Sequence, residues 1–128
     1  MGKFKKHYEA ALALYSSKQY DLAVGRLYYA VLHCICDTLF VVYNKNIDNN
    51  VQHKFIREQY VNCTGLHELG RDISYWQSCR ENADYQRQVS KQYDDNIFIE
   101  VFDEMLVFIQ QQQRQQHIKS NVFDKGAN

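Results

Sequence analysis

Three ionisable side chains, Arg26, His33 and Asp37, stand in the otherwise apolar stretch GRLYYAVLHCICDTLFVV, residues 25–42. At 100° per residue of helix, with Arg26 at the origin, His33 falls at about −20° and Asp37 at about +20°. The rest of the circumference is apolar, from Leu22 through Val42. Charged groups are rarely buried without partners, so this arc must meet either other polar groups or a wet cleft. Asp37 follows His33 by one turn and can reach a ring nitrogen, fixing the tautomer and favouring the imidazolium. Arg26 lies about 10 Å back along the axis and needs a partner from elsewhere. The segment RENADY, residues 80–85, offers Asp84 beside Arg80 and Tyr85. One reading is a buried ion-pair network in which Asp84 neutralises Arg26. The other is the parts list of metal-free RNA cleavage, which needs a base for the 2′-hydroxyl proton, a cation at phosphorus and an acid for the leaving oxygen. His33 would be the acid or base, and Arg26 and Arg80 would hold phosphate through their forked guanidinium groups. Asp37, Asp84 and Tyr85 would support them.

Other candidates are weaker. His53 and Lys54 open a helical segment and could contact phosphate at a helix N-terminus, although an exposed helix start explains them as well. His7, His67 and His117 read as surface histidines. Cys34, Cys36, Cys63 and Cys79 occupy helical, half-apolar segments, which suits reduced core thiols better than a disulfide framework. Cys34 and Cys36 are two apart and point to different sides of a helix, so no metal site is expected, and no cofactor either. Ten tyrosines and seven phenylalanines exceed what a core of this size needs, and they fit base stacking or a homodimer interface.

The elements that must position these groups are helical. No proline occurs, and apolar residues recur at helical spacing through most of the 128-residue chain. The spacing predicts helices over about residues 3–17, with Phe4, Tyr8, Ala11, Leu12 and Tyr15 inward, and 21–43. Two more cover about 51–62 and 65–79, the latter with a stripe of Leu66, Leu69, Ile73 and Trp76. The pattern breaks at RENADYQRQ, residues 80–88. A last helix covers about 90–116, its seam formed by Ile97, Val101, Met105 and Phe108 and widened by Phe98, Phe102 and Ile109. The glutamine-rich run after it reads as a solvated extension or a further helix–helix contact. Residues 1–117 thus form one domain, and 118–128 a polar tail unless Val122 and Phe123 dock on a neighbour. Fifteen basic and fifteen acidic residues give no global field toward nucleic acid or membrane, so such binding requires a local patch. No charged-then-apolar leader and no apolar run of bilayer length are evident, which predicts a cytoplasmic protein without membrane partners.

GRLYYAVLHC on the second helix, QHKFI after a loop, and LGRDISYWQSCRENADY before a final amphipathic helix resemble the HEPN (higher eukaryotes and prokaryotes nucleotide-binding) family over about residues 5–110. Arg26, Tyr28, Tyr29, Ala30 and His33 match its R-x-Y-Y-A-x-x-H signature; Arg80, Ala83, Asp84 and Tyr85 match its R-x-x-A-D-Y signature. The resemblance implies an all-α, up-and-down bundle of four to five helices that commonly dimerises to line one cleft. It implies a metal-independent endoribonuclease or RNA-binding protein of a toxin–antitoxin or phage-defence module. The alternative is a non-catalytic nucleotide- or protein-binding module, for example a partner of a nucleotidyltransferase-type antitoxin. Arg87 stands where the ribonuclease branch carries a histidine.

Overall fold

The computed structural model describes residues 2–47, 52–88 and 95–126 in backbone and, apart from 2, 85–88 and 120–126, in side chain. Among these residues five helices make the bundle: α1 (Gly2–Ser16), α2 (Tyr20–Tyr43), α3 (His53–Thr64), α4 (His67–Gln88) and α5 (Asp95–Gly126). No strand occurs among the described residues. The predicted start of the last helix near Ser90 lies outside them.

Helix α2 is the hub, packed against each of the other four. Its mean composition explains why: Val24, Leu27, Val31, Ile35 and Leu39 are all fully buried, and Ala23 and Ala30 let neighbours approach. By length and composition α2 is apolar enough to cross a bilayer, which corrects the expectation that no run reaches that length. In the bundle it is the core helix, wrapped by protein. Phe40 departs from the expected pattern and is 58% exposed.

Chain stops set the helix ends. Lys18 takes a left-handed conformation (φ 61°), and the Gln19 and Lys18 N–H groups donate to the carbonyls of Leu14 and Tyr15, a paired closure that ends α1 and turns straight into α2. Gly65 (φ 72°) ends α3 in the same conformation, its N–H donating to Val61 O at 2.7 Å. The fourth helix therefore starts at His67, and Leu66, expected in its stripe, is 46% exposed.

Three further expectations are corrected. On α1 the inward residues are Phe4, His7, Tyr8, Ala11, Leu14 and Tyr15, while Leu12 is exposed. RENADYQRQ does not break α4, because the buried stripe of Ile73 and Trp76 continues through the small residues Cys79 and Ala83. On α5, Ile97 is exposed, whereas Val101, Met105 and Phe108 are buried as a seam with Phe98, Phe102 and Ile109. That helix runs on to Gly126, so residues 118–126 continue it; the side chains of Val122 and Phe123 lie outside the described residues. All four cysteines are free thiols, with burial pushing Cys34 up to about 12 and Cys36 to about 11.

Candidate functional site

The inward stripe of α1 carries His7 against α2, and the start of α3 brings His53 to the same side. Between the three helices lies an open cavity of about 560 Å³. Lys3, Lys6 and His7 come from α1, Arg26, Tyr29 and His33 from α2, and His53 from α3, over a floor of Leu32 and Ile56. Among the described residues, no carboxylate lines it.

Its aromatic groups are layered. The His7 ring lies parallel to His33 (centroids 5.3 Å apart, 9° between planes) and stacks on Tyr29 at 5.6 Å. His53 meets Tyr29 edge-on at 5.9 Å and 86°. Arg26 Nη1 lies 3.4 Å from His7 Nδ1. A guanidinium can only donate, so this long contact requires Nδ1 to be the unprotonated nitrogen. Burial lowers the His7 pKa below the usual 6.5, and Arg26, Lys6 and Lys3 lower it further. Burial also lowers that of His53, assisted by Arg80 and opposed by Glu81. Both rings thus favour the neutral form more than a free imidazole does, the state in which an imidazole accepts a proton.

Arg26 and Tyr29 form a ridge between this cavity and a second groove of about 310 Å³ that includes Asp21, Gly25, Arg80 and Asp84. The Arg80 guanidinium sits 5.0 Å above the Tyr29 ring centroid, a cation–π contact. Its Nη2 lies 3.8 Å from Asp84 Oδ2, one turn along α4.

Five of the eight predicted residues, Arg26, His33, His53, Arg80 and Asp84, therefore gather around one ridge, on two sides of it. His33, Arg26 and His53 line the cavity; Arg80 and Asp84 line the groove beyond, with Arg26 common to both. The expected buried Asp84–Arg26 pair is not formed. Continued helix through residues 80–88 puts Asp84 in i,i+4 reach of Arg80, and Arg26 is exposed and turns to His7. Asp37 is half-buried on α2, outside the cavity lining, and burial raises its carboxyl pKa. Lys54 lies outside the cavity lining and pairs with Glu58 at 3.9 Å in an exposed contact. The side chains of Tyr85 and Arg87 lie outside the described residues.

Sequence reasoning missed Lys3, Lys6, His7 and Tyr29 as site residues. The signal for His7 was available: it completes the 4-7-8-11-14-15 spacing of the inward face of α1, and an imidazole in such a stripe must meet a neighbour. Among the described residues, no group of three His, Cys, Asp or Glu converges in metal-holding geometry. No family model, curated protein or solved structure matches the chain.

Proposed function

We propose that this protein binds RNA through the α1–α2–α3 cavity and cleaves it without metal, in keeping with the HEPN resemblance and the defence or toxin–antitoxin role that resemblance implies. The observation that carries this reading is a cavity lined by Lys3, Lys6, Arg26 and three histidines, with no carboxylate beside them among the described residues. Such a lining favours an anion with several oxygens, and Arg26 offers the forked geometry a phosphate accepts. His53 is the first residue of α3, so the helix dipole adds positive potential at the rim. His7, with Nδ1 unprotonated, is suited to take the 2′-hydroxyl proton at that atom once Arg26 turns from it to the phosphate. His33, stacked parallel to it, is suited to protonate the leaving oxygen. The cations hold the charge that develops on the phosphoryl oxygens.

The test is cleavage of single-stranded RNA in the presence of a chelator. The expected result is cleavage that is lost in His33→Ala, His7→Gln and Arg26→Ala proteins of unchanged helicity, and lost when the substrate is 2′-deoxy at the scissile position. Intact RNA under all conditions would overturn the catalytic step.

A second reading is binding without cleavage, of a nucleotide or of a nucleotidyltransferase-type partner, by a homodimer. It is favoured by Arg80, which is stacked on Tyr29 and paired with Asp84 in the neighbouring groove and so is separated from His33. Thermal stabilisation by one nucleotide, with no RNA cleavage, would select it.

A further inference from the structure

On the other side of the bundle, α4 and α5 both pack on α2 but meet each other only sparsely, leaving an open trough of about 420 Å³ between them. Its base is Trp76 and Phe108, whose rings meet edge-on at 5.5 Å, and Val107 stands 52% exposed on its lip. Asp72, Asp103 and Glu104 line it, and among the described residues no cation does. The Trp76 indole N–H donates to Glu104 Oε2 at 3.1 Å, so one carboxylate is anchored at the trough by the core itself. Exposed Tyr75 and Ile97 extend the apolar character along the same two helices.

We propose that this trough is a docking groove for a cationic amphipathic helix of another protein. Two helices diverging over an apolar floor leave the space that a third helix fills, its apolar face down and its basic residues against the rim. The acidic rim specifies the sign of the partner. A second copy of this chain is a poorer fit. Lys3 and Lys6 of α1 already line the cation cavity, and the outer face of the same helix neutralises Lys5 with Glu9 at 3.9 Å.

Trp76 is the chain's single tryptophan, so its emission reports on this trough alone. An 18-residue Leu/Lys peptide with helical spacing is titrated against the full chain, beside a scrambled peptide of equal composition and a Leu/Glu peptide with the original spacing. The expected result is a saturable emission change with the first peptide only, weakened at least tenfold by Asp72→Lys/Asp103→Lys and to a lesser degree by Asp72→Asn/Asp103→Asn. All four substitutions fall on exposed positions, and circular dichroism checks that the helices persist. Equal binding of the scrambled peptide, or affinity unchanged in both double variants, would overturn the proposal. So would self-association, measured by sedimentation, that Val107→Asp abolishes and the peptide fails to displace, because a second copy would then occupy the trough.

Discussion

Gln112 has 2% of its surface exposed, and its Nε2 donates to the Tyr60 hydroxyl at 2.7 Å, while its Oε1 has no partner among the described residues. Tyr60 is itself buried, and burial pushes its hydroxyl up to about 12 against the opposing effect of the Gln112 bond. The glutamine-rich segment of α5 is therefore partly a core element. Gln116 makes the same point one turn on, with Nε2 donating to Thr38 Oγ1 at 2.9 Å and to the Cys34 carbonyl at 3.2 Å. Leaving a buried polar group unsatisfied costs about 1–3 kcal/mol, whereas removing both partners together is close to neutral. Tyr60→Phe is accordingly expected to destabilise the protein by about that amount, and Tyr60→Phe/Gln112→Leu to recover most or all of it, in a double-mutant cycle read by urea unfolding. Tyr28 presents the opposite case. Its ring is fully buried and its hydroxyl has no partner among the described residues, so Tyr28→Phe should raise stability by about 1 kcal/mol, unless unfolding curves show a loss and so reveal a partner for the oxygen.

At the scale of elements, α3 and α4 approach closely at Gly70, where an added Cβ would stand 2.7 Å from Val61 Cγ2. Alanine is worth about 1 kcal/mol over glycine inside a helix, but forcing a methyl into a packed seam costs about 1–3 kcal/mol. Valine in a helix has essentially one rotamer and cannot swing aside. Gly70→Ala should therefore lower the melting temperature, and adding Val61→Ala should raise it again above the single variant. The same scale shows what the sequence made legible. The hub was readable because α2 is apolar around nearly its whole circumference, and the α5 seam because its large side chains keep helical spacing. The course of α4 past Cys79 was not, because Cys79 and Ala83 are small and the eye follows bulky residues. Of the cavity lining, Arg26, His33 and His53 stood out in the sequence by their types and spacing. Lys3 and Lys6 did not, because their meeting with α2 depends on how the Lys18 turn folds α1 back, and that is a tertiary fact; His7 was legible as an inward residue of α1, but its partners on α2 were not. The Asp84 partner was misassigned for the related reason that a presumed break hid an i,i+4 pair.

Across the whole molecule a net charge of zero conceals a separation of sign, with a cationic cavity among α1, α2 and α3 and a carboxylate-rimmed trough between α4 and α5. The histidines couple the cavity to pH. In the unfolded chain His7 and His53 take up protons near 6.5; in the folded chain both do so only at lower pH. Between those values the unfolded state binds more protons, so the stability these two residues contribute is present above 6.5 and is lost as pH falls toward their folded pKa values. Asp37 acts in the opposite direction at more acidic pH. Its pKa is raised above 3.8, so its contribution is full below that value and lost as pH rises through the folded one. A polyanion in the cavity would stabilise the imidazolium forms and reverse the histidine effect, binding more tightly as the pH is lowered below 6.5. Melting temperatures measured across that range should fall on acidification in the absence of RNA and fall less in the presence of a 2′-deoxy oligonucleotide. In His7→Gln/His53→Gln the acid-induced fall should shrink and the oligonucleotide's protection should lose part of its pH dependence, because His33 still lines the cavity. A pH profile identical in the double variant and the parent would show that neither histidine links protons to folding, and an oligonucleotide that protects equally at all pH values would place its phosphates away from them.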